Sequence, residues 1–381
     1  MSNNKSHSVY LKDILFRQKG INITAQQMKE LDSANGNIKV FAGGNTTANI
    51  QIDDIPEKYI ITKPSIIVKS RGNIDFDYYE GPFTHKNELW SYSTNSNDVN
   101  LKYIYYILKV NKYSFVNKAK ANSVKLPQLT VGDTDNFEIP LPHIKVQEEI
   151  VKILDSFTNL IDALNEELSL RQKQFEYYRE KLLTFDKNAH KKRIIDLLIQ
   201  PITDGPHETP TFVEKGIPFI SAEAIVDNKI NFSKKRGFIS NEYNDLCCKK
   251  YKPKVGDVYM VKSGSTVGKV AILEDKMQFN IWSPLAALRV NDSCLPKYLY
   301  YLLLSRNIQE QIKQKCSKGS QPNLSMRVLE RFEINVVNYR IQQSIVEKLD
   351  AFESLISSLK EEIALRQKQY EYYREKLLTF D

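Results

Sequence analysis

Four cysteines in 381 residues are too few for a disulfide scaffold. None of them forms a CxxC, and Cys247 and Cys248 are adjacent, which does not suit a zinc knuckle. A reducing, cytoplasmic compartment is the simple expectation. Long apolar runs are also missing. No stretch of about 18 apolar residues occurs, and the opening MSNNKSHSVYLKDI has no apolar core of signal-peptide length. Neither secretion nor a membrane span is expected. Catalytic signatures are equally sparse: there is no GxGxxG, no HExxH and no Asn-Pro-Pro-aromatic run. Gly264-Ser-Thr-Val-Gly268-Lys269-Val270 is one residue short of a phosphate loop between its glycines. It also lacks the Ser/Thr after Lys that would hold Mg²⁺, which argues against nucleotide hydrolysis there. The five histidines (His7, His85, His143, His190, His207) are scattered. Only His207, in Asp204-Gly-Pro-His-Glu-Thr-Pro210, sits in a suggestive polar turn, where packing is as open a role as function. No metal site is expected. Charged residues at 26% and hydrophobic residues at 41% are ordinary for a folded chain.

What the sequence does contain is a repeat. Gln147–Asp186 and Gln342–Asp381 align without a gap at an offset of 195, with 27 of 40 positions identical. From Leu170 to Asp186, 16 of 17 positions agree. The offset extends upstream in weaker form: Tyr103-Ile-Tyr-Tyr-Ile-Leu with Tyr298-Leu-Tyr-Tyr-Leu-Leu, Pro127-Gln-Leu-Thr with Pro322-Asn-Leu-Ser, and Phe137-Glu-Ile with Phe332-Glu-Ile. Before residue 103 the register breaks, and Lys69-Ser70 against Lys262-Ser263, at offset 193, is the remaining anchor. A period near 195 is too long for a solenoid and indicates two tandem domains of one plan. The expected division is 1–146, 147–186, 187–341 and 342–381: lobe, tail, lobe, tail.

The tails contain neither Gly nor Pro, so nothing interrupts a long helix. In the first, Ile150, Leu154, Phe157, Ile161, Leu164, Leu168, Phe175, Tyr178, Leu182 and Phe185 follow a 4-3 spacing. In the second, Ile345, Leu349, Phe352, Ile356, Leu359, Ile363, Tyr370, Tyr373, Leu377 and Phe380 do the same. Such a seam predicts a coiled coil. Arg171 and Arg366 each occupy a seam position, where a guanidinium either finds buried partners and sets register or snorkels outward. At 1.5 Å per residue the tails make rods of roughly 60 Å. Pairing within the chain is the natural way to bury both seams; pairing between chains is the alternative. If the copies are related by a pseudo-two-fold axis, the coiled coil is antiparallel and the lobes sit at opposite ends of it.

The formal charge of +8 is unevenly distributed. Tails 147–186 and 342–381 carry −4 and −2, whereas lobes 1–146 and 187–341 carry +4 and +10. Basic lobes on acidic helices point to a polyanion at the lobes, though Lys-rich surfaces also aid solubility. The second lobe reads as mixed α+β. Strands are expected at Ile217–Ser221, Lys254–Ser263 and Val267–Ile272, and an amphipathic helix at Pro296–Gln314, with Asn100–Lys112 as its first-lobe counterpart. Four loops combine cations, amides and small residues that hold phosphates or read base edges. They supply Lys69, Arg71 and Asn73; Lys118, Lys120 and Lys125; Lys262, Ser263, Ser265, Thr266 and Lys269; and Lys315, Lys318, Ser320, Gln321 and Asn323. His207 joins them as a candidate. Each loop is also ordinary turn composition.

Two divergent lobes, each followed by a near-identical helix, resemble the specificity subunit of type I restriction–modification systems. The resemblance spans the whole chain. Asp204-Gly-Pro-His-Glu-Thr-Pro210, Gly216-Ile-Pro-Phe-Ile220, Gly256-Asp-Val258, Lys262-Ser-Gly-Ser-Thr-Val-Gly-Lys269 and Gln321-Pro-Asn-Leu-Ser325 look like family segments. Phe137-Glu-Ile-Pro-Leu-Pro142 followed by Gln147 looks like the exit from a target-recognition domain. The first lobe departs, having no DGxH segment and no second glycine in its Lys69-Ser-Arg-Gly loop. The resemblance implies a non-catalytic subunit of double-stranded DNA recognition, each lobe reading one half of a bipartite, asymmetric site. The helices would set the spacer and offer surfaces to two methyltransferase subunits, with Leu154, Phe157, Ile161, Leu164, Leu168, Arg171 and Tyr178, and Leu349, Phe352, Ile356, Leu359, Ile363, Arg366 and Tyr373 serving the coiled coil or the partner-subunit contact. Restriction (nuclease–translocase) subunits would join them. S-adenosylmethionine, ATP and Mg²⁺ would belong to those partners, with no cofactor in this chain. A stand-alone nuclease or methyltransferase with an unrecognised site, and a protein-binding coiled-coil scaffold, are the competing readings; cleavage or methylation by the chain alone would favour the former, and the +10 lobe argues against the latter.

Matching structural roles tolerate Leu/Ile exchange, as Leu168/Ile363 shows, so identity over 170–186 and 365–381 exceeds what packing demands. Gene-level exchange that lets lobes be shuffled accounts for it. The codons of the two stretches are then expected to agree as well; many synonymous differences would refute the idea.

Overall fold

A computed structural model of the protein describes residues 7–123, 125–184, 190–317 and 321–380. The chain divides into two compact units: residues up to Asn165 together with those from Glu361 on, and Glu166–Lys360. Each unit therefore holds one lobe, the first half of the helix that follows it and the second half of the helix from the other repeat.

In the first lobe, β1 (His7–Tyr10), α1 (Leu11–Ile14), β2 (Phe16–Lys19), α2 (Ala25–Leu31), β3 (Ile38–Phe41) and β4 (Thr47–Ile50) are followed by β5 (Ser65–Lys69), β6 (Asp75–Tyr79), β7 (Phe83–His85) and β8 (Trp90–Ser93). Then come α3 (Leu101–Val110), α4 (Lys112–Asn122), α5 (Val131–Asp135), β9 (Glu138–Leu141) and the long α6 (Ile144–Leu183). An antiparallel sheet runs β2-β8-β5-β6. A second runs β4-β3-β7 with β3 and β7 parallel, and β1 pairs with β9. β5 is buried along its whole length, as its unbroken Ile-Ile-Val centre demands of a strand covered on both faces.

The second lobe repeats this plan. It comprises β10 (His190–Arg193), β11 (Thr203–Asp204), β12 (Ile217–Ile220), β13 (Ile225–Val226), β14 (Lys229–Ile230), β15 (Gly237–Ile239), α7 (Asn241–Lys250), β16 (Val258–Val261) and β17 (Val270–Ile272). β18 (Asn280–Ile281), β19 (Leu285–Leu288), α8 (Pro296–Leu304), α9 (Arg306–Lys315), α10 (Met326–Glu330), β20 (Glu333–Val336) and α11 (Tyr339–Leu378) complete it. The sheets are β11-β19-β16-β17 and β15-β12-β18, with β12 and β18 parallel, and β10 pairs with β20. Equivalent strands thus take equivalent places although the two sequences do not align there. The β13–β14 hairpin, turning through Asp227 and Asn228 at φ of 50° and 60°, has no counterpart among the described residues of the first lobe.

Several sequence expectations need correction. The strand expected over Lys254–Ser263 is confined to Val258–Val261, because Gly256 turns at φ +88°. The strand expected from Val267 begins only at Val270, after Gly268 at φ +90°. The helix expected over Pro296–Gln314 is two helices. Ser305 takes an extended conformation and its hydroxyl donates to the Leu302 carbonyl at 2.6 Å, ending the first. The first lobe breaks likewise at Asn111, whose side chain donates to the Ile107 carbonyl at 2.9 Å. Lys118 and Lys120, expected in a loop, lie on α4.

Both lobes are seated on their helices by one set of contacts. Gln147 is fully buried; its amide nitrogen donates to the Asp98 and Pro142 carbonyls at 2.9 and 2.8 Å, and its oxygen accepts from the Asn100 N–H at 2.8 Å. Gln342 does the same with Ser293, Val337 and Leu295 at 3.0, 2.9 and 2.9 Å. Tyr103 and Tyr298 donate to the carbonyls of Pro140 and Asn335. Tyr106 and Lys102 hold Asp155; Tyr301 and Lys297 hold Asp350.

The long helices pair in each unit. Phe157 stacks on Tyr373 with ring centroids 5.5 Å apart, and Tyr178 on Phe352 at 5.4 Å. In the first unit Leu154 shares a core with Leu378 as Phe157 stacks on Tyr373, and in the second Leu183 shares a core with Leu349 as Tyr178 stacks on Phe352, so within each unit the pair is antiparallel. Leu154 and Leu378 enter the core of the first unit with Ile66, Tyr103 and Ile139; Leu349 and Leu183 enter that of the second with Val258, Tyr298 and Ile334. Ile161, Leu164, Leu168, Ile356 and Leu359 are half-buried along the seam and Ile363 is buried. Phe185 lies outside the described residues. Arg171 and Arg366 snorkel: each pairs within its own helix, with Glu167 and Gln174 or with Glu362 and Gln369, and both side chains are 39% exposed.

Replacing Gln147 by Ala orphans one N–H and two carbonyls around a buried side chain. Stability of the first unit should fall by about 3 kcal/mol, with a comparable loss in the second for Gln342→Ala. Denaturant unfolding of the full chain checks both.

Candidate nucleic-acid interface

Two loops that the sequence presents separately meet in each lobe. In the second, Gly264 N–H donates to the Pro322 carbonyl at 2.9 Å and Leu324 N–H to the Lys262 carbonyl at 2.7 Å, with Ser263 facing Asn323. In the first, Gly72 N–H donates to the Pro127 carbonyl at 2.8 Å and Leu129 N–H to the Ser70 carbonyl at 2.8 Å, with Arg71 facing Gln128. Gly72 and Gly264 both take a positive φ, +76° and +94°, open to glycine without strain. This clip makes Ser70 the counterpart of Lys262, an offset of 192. The sequence anchor at 193 was one residue out, because only the hydrogen-bond register against Pro127 and Pro322 defines the match.

The candidate residues differ widely in what they offer. Lys69 ends β5 with its side chain buried, its ammonium 2.8 Å from Asp77 and 3.2 Å from the Asn45 side chain. Arg71 and Asn73 are exposed beside it, as are Lys118, Lys120 and Lys125. In the second lobe Ser265, Lys269, Gln321 and Asn323 are exposed at the clip, Ser263 and Thr266 are half-buried, and Lys315 is exposed at the end of α9. Lys318 and Ser320 lie outside the described residues. The 262–269 loop is closed by Val261 N–H donating to the Lys269 carbonyl at 2.9 Å and Gly268 N–H to the Val261 carbonyl at 2.8 Å. Gln309 of α9 braces it through the Gly268 carbonyl at 2.9 Å.

Sequence reasoning missed the centre of this region. Asp204, whose side chain is 4% exposed, gathers two lysines and a histidine from three segments. Its carboxylate lies 2.8 Å from Lys250 at the end of α7, 3.1 Å from Lys262 and 3.0 Å from His207 Nε2. Burial pushes the Asp204 carboxyl up, but the hydrogen bonds and charges of Lys250 and Lys262 outweigh it and hold the group below the ordinary carboxylate range. The pairing therefore stabilises the fold above the unfolded carboxyl pKa, and that contribution is lost as pH falls through the lowered folded value. Lys250 carried no motif; only its place in the fold reveals it. Gly256-Asp257-Val258 proves structural: Arg289 grips the buried Asp257 with two 2.7 Å bonds, and Tyr251 donates to it at 2.6 Å.

A second feature lies outside the seam. Leu160, Leu170 and Tyr177 of α6 are 40%, 58% and 59% exposed, and their counterparts Leu355, Leu365 and Tyr372 of α11 are 38%, 62% and 58% exposed. The same apolar surface residues thus recur in both copies. Their retention at non-seam positions was a signal available in the alignment of the tails.

The family described as "Type I restriction modification DNA specificity domain" matches residues 7–170 and 208–365. A type I restriction enzyme specificity subunit of Escherichia coli is 32% identical over 76% of this chain and 73% of its own length. A putative type I restriction enzyme specificity subunit of Haemophilus influenzae is 30% identical over 94% of this chain and 92% of its own. Among solved structures, the type I restriction–modification S subunit of M. genitalium superposes with a TM-score of 0.67 at 17% identity, covering 100% of this chain and 98% of that one, which shows a shared fold.

Lys269 and Lys262 should respond differently to truncation. Lys269→Ala removes an exposed cation and should flatten the salt dependence of DNA binding by about 0.9 in log–log slope, with thermal stability unchanged. Lys262→Ala strips a partner from buried Asp204 and should also cost about 1–3 kcal/mol of stability. Salt-titrated binding and thermal melts separate the two.

Proposed function

The chain belongs to the type I restriction–modification DNA specificity family, and from that premise we propose that it is the non-catalytic DNA-recognition subunit of a methyltransferase and endonuclease complex. Each lobe reads one half of a bipartite, asymmetric site in double-stranded DNA. The antiparallel helices set the unread spacer, as dimer geometry sets half-site spacing in other DNA-binding proteins. The functional division is 1–146 and 187–341 for recognition, 147–186 and 342–381 for spacing and docking. One observation carries this reading: two lobes whose main sheets share strand order present the same glycine-centred clip with different side chains on it. That is the arrangement expected of a reader whose halves share geometry and differ in sequence preference.

Two methyltransferase subunits dock on the repeated apolar face, one through Leu170 and Tyr177 and one through Leu365 and Tyr372. Identical partners require identical surfaces, and the same exposed Leu and Tyr recur in both helices. The partners supply S-adenosylmethionine and the flipping of the target base, and restriction subunits bring ATP- and Mg²⁺-dependent chemistry. The complex acts in the cytoplasm.

Methylome sequencing of cells carrying the chain with cognate modification subunits tests the reading: a split, asymmetric methylated motif is expected, and an absent or unbroken one refutes it. Removing one heptad from each helix, 161–167 and 356–362, shortens the pair by about 10 Å. The spacer should contract by about three base pairs with both half-sites unchanged.

A further inference from the structure

The two lobes place chemically opposite residues at one point of the fold. In the second lobe, Asp204 of β11 faces Ala286 of β19, which in turn faces Met260 of β16. In the first, Lys19 of β2 faces Trp90 of β8, which faces Val68 of β5. The clip equates Ser70 with Lys262, hence Val68 with Met260, and so Lys19 with Asp204. The next residue confirms the match. Gly20 and Gly205 each press on the neighbouring strand, where a Cβ would collide with the backbone carbonyl of His85 or of Ile281. Only glycine passes at either place, so the preceding residue is held in the same position in both lobes.

What the two positions present differs. Lys19 is exposed and has no ion-pair partner among the described residues. Asp204 is buried and cannot itself reach a ligand, but it holds the exposed ends of Lys250 and His207, whose side chains are 59% and 70% exposed. The first lobe thus offers one bare ammonium, and the second a pair of cationic or donor groups fixed by a carboxylate behind them. A lysine at a base edge selects guanine, whose O6 and N7 both accept.

We propose that this point is where the lobes tell their half-sites apart: Lys19 reads a base edge in the first, and Lys250 with His207 reads one in the second, with Asp204 as the positioning residue. The inference rests on the DNA-recognition reading above and extends it to particular side chains. The test uses the full-length chain assembled with its modification subunits, and duplexes in which each base pair of the methylome-derived site is varied in turn. Lys250→Ala should reduce discrimination at a base pair of one half-site by about tenfold, and Lys19→Ala should do so only in the other. Asp204→Asn should relax the same base pair as Lys250→Ala. Lys19→Ala leaves folding intact because Lys19 is exposed; Lys250→Ala takes one partner from buried Asp204 but leaves Lys262, and thermal melts set the temperature at which both variants are compared folded. Base preferences unchanged while the salt slope drops by about 0.9 would show a phosphate contact and overturn the proposal. So would changes in the same half-site for Lys19→Ala and Lys250→Ala. Absence of any sequence preference in the unaltered chain would instead overturn the functional reading itself.

Discussion

Two long amphipathic helices whose seams must be buried constrain everything else in this protein. Forty-residue helices with no Gly or Pro do not bend back on themselves, so each seam needs the other. Because they pair antiparallel, the end of each helix meets the beginning of the other. Leu378 therefore completes the core of the first unit and Leu183 that of the second. Each lobe is closed by apolar residues from the opposite repeat, and the first compact unit is built from two separate stretches of chain. The buried glutamines at the helix starts fix where each lobe attaches to this frame.

On that frame the lobes are free to diverge. Their sheets share strand order and register while their sequences before residue 103 no longer align. The features held constant are backbone ones: a clip of two hydrogen bonds, a glycine at positive φ, and a glycine at a close approach. Side chains on those features vary, from Arg71 to Ser263 and from Lys19 to Asp204. Constant backbone with variable side chains is how one fold serves two recognition tasks, since base readout depends on the donors and acceptors presented at a fixed position.

Not every suggestive residue belongs to the presented surface. Lys69 looked like a phosphate ligand and is spent on Asp77. Gly256-Asp257-Val258, a segment resembling the family, anchors Arg289 through buried Asp257. A charged group inside a domain requires a partner, so burial turned these candidates into structural elements. Conversely, Lys250 carries no motif and is brought beside His207 only because α7 ends there.

Much of the architecture was legible because its signals are local and periodic. The repeat at offset 195, the uninterrupted 4-3 spacing and the uneven charge settle two lobes and two helices from residue order alone. Periodicity survives without knowledge of contacts. The break at Ser305, the helical place of Lys118, the 192 offset of the clip and the Asp204 cluster were not legible. The clip offset and the Asp204 cluster depend on hydrogen bonds or ion pairs between segments tens of residues apart, whose register no spacing rule encodes; the break at Ser305 turns on a local hydroxyl-to-carbonyl bond that apolar spacing does not report. The sequence by itself determined that this chain repeats and where its helices run. Only the tertiary structure decided which side chains the two lobes present at the same point, because that choice is made by strand register and burial.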